Sequence, residues 1–178
     1  MKIISFEGIE GVGKSTQIRL LKDFLESKNL NVDVLREPGS TLAGEKIRDI
    51  LLDNNNKLSN ETELLLMFAA RSELVNKTIL DNQSDYLLLD RFFDASMAYQ
   101  GYGRELSKEF ISSLISFIKC PIPNFTFLLD IPVEEGFSRK HNDTMDRIES
   151  SGFEFFEKVR RGYLEIASNN DDRFIIIN

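Results

Sequence analysis

An unbroken Gly-x-x-x-x-Gly-Lys-Ser run, Gly8-Ile9-Glu10-Gly11-Val12-Gly13-Lys14-Ser15, stands between a short apolar stretch and a segment of helical periodicity that starts at Lys14. This context constrains the N-terminus to a strand, a tight loop and a helix, in that order. The glycines let the loop curl until successive backbone N–H groups converge on phosphate oxygens. The helix start adds its own unpaired N–H groups and the positive end of its dipole. Lys14 then supplies a cation to the β- and γ-phosphates of ATP, and the Ser15 hydroxyl is placed to ligate Mg²⁺. The expected ATP-binding residues are Gly8, Ile9, Glu10, Gly11, Val12, Gly13, Lys14, Ser15 and Thr16.

Short apolar runs continue to alternate with helical patterns along the chain, which predicts an α/β architecture: a P-loop NTPase fold with a five-stranded parallel sheet flanked by helices on both faces. Strands are expected at Ile3 to Phe6, Val32 to Leu35, Tyr86 to Leu89, Phe125 to Leu129 and Phe174 to Ile177. Helices are expected at Lys14 to Ser27, Ala43 to Leu52, Glu61 to Leu80, Lys108 to Ile118 and Phe153 to Ala167. With no linker, repeat or low-complexity tract, residues 1–178 read as one domain. The strands are continuously apolar, so burial on both faces is expected. Ligands in such sheets sit beyond the carboxyl ends of the strands. Polar residues follow four of the runs: Glu7-Gly8, Arg36-Glu37, Asp90-Arg91 and Asp130. Asp90, at the end of Leu87-Leu88-Leu89, resembles a Walker-B acid that would sit near the metal, and Arg91 can bridge donor and acceptor phosphates.

Composition excludes several other classes. A net charge of −7 is unlike that of a protein held to nucleic acid by bulk charge, so phosphate must be bound locally. No apolar run approaches the roughly 20 residues of a membrane span, and Glu7 comes too early for a secretory leader, so the chain is expected to start at Met1. The single Cys120 cannot form an internal disulfide, which fits a reducing, cytoplasmic setting.

The motifs together resemble the bacterial thymidylate kinases, a family of nucleoside monophosphate kinases. The resemblance is carried by Phe6-Glu7-Gly8 through Gln17, Arg36-Glu37-Pro38-Gly39, Asp90-Arg91-Phe92 with Ala98-Tyr99-Gln100-Gly101, and Met145-Asp146-Arg147-Ile148-Glu149 followed by Phe155-Phe156-Glu157. It implies Mg²⁺- and ATP-dependent phosphorylation of dTMP to dTDP. It also implies an acceptor site of Glu10, Arg36, Glu37, Arg48, Phe68, Arg71, Arg91, Ser96, Tyr99 and Gln100. Glu10 would accept from the deoxyribose 3′-hydroxyl; Arg91, with Arg36 or Arg48, would hold the 5′-phosphate; Glu37 would lie near the metal and phosphates. Arg71 would donate to a thymine carbonyl, Ser96 and Gln100 would face the other base edge, and Tyr99 would leave no room for a 2′-hydroxyl. By the same resemblance Lys14, Asp90, Arg91, Arg139 and Arg147 are the catalytic set, Ser15 and Asp90 hold the metal, and the chain pairs as a homodimer. The alternatives are a kinase of another nucleoside monophosphate, or a P-loop regulator without transfer activity, which would not need an acceptor site.

The sequence departs from the family at several positions. Phe92 replaces a common Tyr, Ala95 a common Ser, and Ser40 stands where a second Gly often follows Arg-Glu-Pro-Gly. Met67 holds the usual place of the base-stacking Phe, so Phe68, one residue later, is the expected stacking ring. Some members carry an Arg inside the P-loop; here Gly11 occupies that place, so a lid at about 139–150 is expected to supply the cations, and one or two of Arg139, Lys140 and Arg147 would close over the triphosphate. His141, the only histidine, falls in the same loop and is not expected to be a metal ligand or general base. Members of the family usually continue past the last strand with a loop that touches adenine and a final helix, so an adenine pocket is not legible here.

Overall fold

A computed structural model describes residues 1–139 and 145–178. Five parallel strands, β1 (Lys2–Glu7), β2 (Val32–Arg36), β3 (Tyr86–Asp90), β4 (Phe125–Leu129) and β5 (Phe174–Ile177), form one sheet in the order β2-β3-β1-β4-β5. The P-loop strand β1 is therefore central. Its register pairs Phe6 with Asp90 on β3 and Glu7 with Leu128 on β4, and β2 sets Arg36 beside Asp90 on the far side. The carboxyl ends of β1, β2 and β3 are thus brought level, which gathers the P-loop, Arg36 and Asp90-Arg91 at one rim.

The helices are α1 (Lys14–Glu26), α2 (Leu42–Leu52), α3 (Asn60–Leu74), α4 (Phe93–Ser96), α5 (Lys108–Phe117), α6 (Val133–Arg139) and α7 (Phe153–Ser168). Ordinary caps start three of them. Thr41 Oγ1 accepts from Gly44 N at 2.9 Å, Ser59 Oγ from Thr62 N at 3.2 Å and Ser107 Oγ from Phe110 N at 3.1 Å, which satisfies N–H groups that helix ends leave unpaired. One core cluster joins Ile4, Phe6, Leu88 and Leu128 of the sheet to Phe156, Val159 and Tyr163 of α7; another, with Leu74, Leu87, Leu89 and Phe92, lies by β3 and α3.

Two sequence expectations change. The strands are not all buried on both faces: β2 and β5 are the sheet edges, and Val34, Ile175, Ile176 and Ile177 stay exposed. An apolar run fits an edge strand as well as a central one, so composition alone cannot place it. The single helix expected from Glu61 to Leu80 is α3 followed by a π-helical turn, Val75–Ile79. A second π-helical turn, Met97–Gly103, continues α4 and packs against α7 so closely that a Cβ on Gly162 would lie 2.6 Å from the Tyr102 ring. Such turns recur at functional sites because the extra residue per turn re-aims side chains.

Between the two halves of the sheet, Arg173, just before β5, donates to both carboxylate oxygens of Asp94 at 2.8 Å and to Thr126 Oγ1 at 2.9 Å, all buried. Removing one partner strands a buried charge. Arg173→Met is therefore expected to lower the unfolding free energy by about 3 kcal/mol, measured by urea denaturation; a loss below about 0.5 kcal/mol, the usual size for a surface substitution, would show that the pair is not a structural anchor.

Candidate active site

The P-loop runs from β1 into α1, and α1 lacks both of the usual N-terminal devices, whereas α7, which also starts on an uncapped glycine, has Glu154 in its first turn. The N-cap of α1 is Gly13, at φ 93°, with no side-chain cap and no acid in the first turn. The first N–H groups of α1 are left to a ligand, and an anion is the natural one. The Lys14 ammonium is folded back into the loop, donating to Gly8 O at 3.1 Å and Ile9 O at 2.8 Å. Burial, reinforced by the Arg91 charge, lowers its pKa from 10.5 to about 8. Glu10, Asp90 and Glu7 act the other way but do not outweigh burial, and a bound polyphosphate would add negative charge directly beside the ammonium.

The loop is pressed onto α6. Gly11 has φ 74°, and a Cβ there would sit 2.1 Å from Gly136 O; a Cβ on Gly136 would sit 2.5 Å from Glu10 O. No side chain fits at position 11, so this chain has no space for a P-loop arginine. The same contact delivers Arg139, at the end of α6, to the mouth of the cleft, with Nη1 3.4 Å from Gly11 O and Nη2 paired with Glu135.

Beyond the strand ends lies a cleft of about 560 Å³. Its walls include Glu10, Lys14, Ser15 and Thr16 from the first loop, Arg36 and Glu37 after β2, Arg48 on α2, and Asp90 and Arg91 after β3. Met67 and Arg71 enter from α3, and Ser96, Tyr99 and Gln100 from α4 and the π-helical turn. Arg91 has φ 69°, a left-handed backbone, and its guanidinium donates to Gly8 O at 2.8 Å, to Tyr163 Oη at 3.2 Å and to Glu10 Oε1. It also lies 4.8 Å from the centre of the Tyr99 ring. Arg71 is buried; its Nε donates to Glu37 Oε2 at 2.7 Å, Nη1 to Ser96 Oγ at 2.9 Å and Nη2 to Phe92 O at 3.2 Å. Arg48 Nη1 donates to Pro38 O at 2.9 Å, and Arg36 pairs with Glu45 at 2.9 Å.

Ser15 and Asp90 share a wall of the cleft. Among the described residues no three His, Cys, Asp or Glu groups converge on a metal position. One hydroxyl and one carboxylate, completed by water and by the phosphates of a nucleotide, suit Mg²⁺, which rarely takes an all-protein cage.

Several expected residues stand elsewhere. Phe68 does not line the cleft: its ring is buried with Leu64, Ile111 and Ile118 and lies 4.7 Å from the Arg71 guanidinium, so Met67 meets the cavity and Phe68 backs the arginine. One residue along a helix turns a side chain by about 100°, and here that turn points Phe68 into the core. Arg147 is likewise not at the phosphate end. Its Nε donates to Leu51 O at 2.7 Å and its Nη2 to the buried Glu63 at 2.8 Å, which fastens the segment before α7 to α2 and α3. Glu37 is committed to Arg71, and its Oε1 is buried with no hydrogen-bond partner among the described residues. Burial pushes its pKa up, and Arg71 opposes that. Asp130, the fourth strand-end polar residue, is held by Arg160 at 2.7 and 2.8 Å and does not border the cleft. Lys140 and His141 lie outside the described residues.

Sequence reasoning missed Glu63, Arg104 and Tyr163 as parts of the site's frame, and marked Glu7 only as a strand-end polar residue. The first three carry no local signal in the sequence; Glu7 stands directly before Gly8. Buried, Glu7 accepts from Phe92 N at 2.7 Å and from Tyr163 Oη at 2.8 Å, so it braces the loop that carries Arg91. Desolvation, with the Asp94 charge second, raises its pKa from 4.5 to about 8.

Comparison with known proteins gives one answer. The family model described as thymidylate kinase matches residues 6–178. The chain is 44% identical to a thymidylate kinase of Kosmotoga olearia, over 98% of this chain and 86% of that protein. It is 43% identical to one from Thermoanaerobacter sp., over 99% and 89%. The crystal structure of thymidylate kinase from Ehrlichia chaffeensis superposes with a TM-score of 0.81 at 34% identity, covering 99% of this chain and 89% of that one.

The Glu7 pKa makes a prediction about stability. A carboxyl that holds its proton more tightly when folded destabilises the fold once it must ionise, so its contribution falls as pH rises from about 4.5 to about 8 and is lowest above that. Glu7→Gln is expected to gain stability relative to wild type across that window, read as the difference in urea unfolding free energies; a pH-independent difference would overturn the assignment. With the phosphate-binding loop, the arginine-lined cleft and the match over nearly the whole length all in hand, the chain belongs to the thymidylate kinase family.

Proposed function

We infer that this chain is a phosphotransferase that moves the γ-phosphoryl group of ATP to the 5′-phosphate of dTMP, forming ADP and dTDP. The observation that carries this reading is that the uncapped start of α1 and the arginine-rich acceptor wall share one cleft. A P-loop regulator would need the first alone.

The acceptor phosphate is already ionised, so no strong protein base is required; positioning and charge neutralisation supply the rate. The donor phosphates lie along the P-loop against the α1 N–H groups and Lys14. Ser15 and Asp90 would hold Mg²⁺, which would supply charge neutralisation on the phosphates. Arg91, anchored to Gly8 O and braced by Tyr163, holds the acceptor phosphate beside the donor, with Arg36 or Arg48 on its other side. Arg139, at the end of α6 and at the mouth of the cleft, neutralises charge on the transferring group. Glu10 accepts from the 3′-hydroxyl, and Tyr99 packs beside the sugar where a 2′-hydroxyl would stand. Arg71 and Ser96 meet the base edge, with Met67 rather than Phe68 against the base. The substrates and the lone Cys120 fit a cytoplasmic enzyme.

A homodimer fits the exposed apolar side chains on two helices whose buried faces share a cluster, Leu65 on α3 and Phe110 and Phe117 on α5. Sedimentation tests that part.

Coupled detection of ADP across a panel of nucleoside monophosphates tests the activity: dTMP is expected to give the highest kcat/KM. Lys14→Met is expected to cut turnover by several orders of magnitude with the melting temperature retained, since fixed charge contributes most in the transition state. Near-normal turnover in the folded variant would remove the P-loop from the mechanism.

A further inference from the structure

Glu63 on α3 is a buried carboxylate that receives donors from two other segments, the π-helical turn with its C-cap Arg104 and the stretch before α7. It accepts from Gln100 Nε2 at 2.9 Å, from Arg104 Nε and Nη2 at 3.2 and 3.1 Å, and from Arg147 Nη2 at 2.8 Å. Burial works against its charge, but the hydrogen bonds from Arg104, Gln100 and Arg147 outweigh it and lower its pKa, so Glu63 is ionised at neutral pH. An ionised carboxylate only accepts.

That restriction acts on Gln100. A glutamine amide can turn over and present either its NH₂ or its oxygen to a ligand, and the two ends recognise opposite patterns. Beside a carboxylate, only the NH₂ end can face Glu63. The amide is therefore locked with its NH₂ on Glu63, which leaves Oε1 as the end turned away from Glu63 on a residue that lines the cleft. Resting on the thymidylate reading above, we propose that Glu63 is a positioning residue for substrate choice: by fixing the Gln100 amide, it makes the base wall an acceptor that selects a ring N–H, as thymine and uracil have, over the bare ring nitrogen of cytosine. Arg71 on the same wall is the complementary donor. Glu63 itself lies behind Gln100 and does not border the cavity.

A merely structural Glu63 would move stability and overall activity but not the preference between bases. Glu63→Gln keeps the size and an acceptor oxygen for the arginines, yet offers Gln100 either an oxygen or an NH₂, so the amide can turn. The experiment measures kcat/KM for dTMP and dCMP in wild type, Glu63→Gln and Arg104→Met, the last removing a different partner of Glu63. Glu63→Gln is expected to lower the dTMP-to-dCMP ratio at least about tenfold, mainly through a fall for dTMP, whereas Arg104→Met keeps the wild-type ratio. A ratio unchanged in Glu63→Gln, or lowered equally in Arg104→Met, overturns the positioning role while leaving the activity intact. Wild type that prefers dCMP refutes the thymidylate reading instead. If Glu63→Gln does not fold, Gln100→Leu carries the test, because it deletes the oxygen and leaves both arginines on Glu63; an unchanged ratio there overturns the proposal as well.

Discussion

The guanidinium of Arg91 is the crossing point of the molecule. It joins the first loop through Gly8 O and Glu10, the π-helical turn through the face of Tyr99, and α7 through the hydroxyl of Tyr163. Reaching all three requires a left-handed backbone at a residue with a side chain, which costs roughly 1–3 kcal/mol. The surroundings hold that conformation in place. Arg91 N donates to Phe6 O at 3.0 Å, and the next amide, Phe92 N, is caught by Glu7. Strain of this kind persists where a side chain must be aimed, and here it aims a fixed cation into the cleft.

Buried charge is organised around the same cleft in a chain whose net charge is −7. Arg71 is matched by Glu37, Arg173 by Asp94, and Arg104 and Arg147 by Glu63. Each pair consists of an arginine, whose planar fork makes several hydrogen bonds at once, and a carboxylate, which removes the cost of an isolated buried ion. The pairs also freeze side chains in defined orientations, which a site that binds one nucleotide beside another requires. Lys14 is the exception. Among the described residues its hydrogen bonds go to two carbonyls, and burial has already weakened its hold on its proton despite Glu10, Asp90 and Glu7 nearby.

What could be read without coordinates follows from local chemistry. Strand, glycine loop and helix start are consecutive, so Gly8 to Thr16 declare their geometry by spacing. The strand ends at Arg36 and Asp90-Arg91 follow from where apolar runs stop, and parallel strands place their ligands there. The same reasoning fails for Asp130, which also ends a strand but is taken up by Arg160 from a helix far along the chain. It fails for Phe68 and Arg147 in the same way. Each has the right residue type near the right position, and each is claimed by a partner that local sequence does not reveal, the cluster around Ile111 for one and Leu51 O with Glu63 for the other.

The sequence by itself determined the fold class, the phosphate-binding loop and most of the residues that border the cleft, because those depend on short-range periodicity and on motifs contiguous in the chain. Only the tertiary structure decided which strands are edges, why position 11 must be glycine, and which cations face the cleft rather than the interior. Those outcomes depend on contacts between residues far apart in the chain. Gly11 meets Gly136 across 125 positions, and Glu63 meets Gln100 and Arg147 across 37 and 84. Whether an arginine becomes a catalytic cation or a structural one is set by the partner it finds when the chain closes.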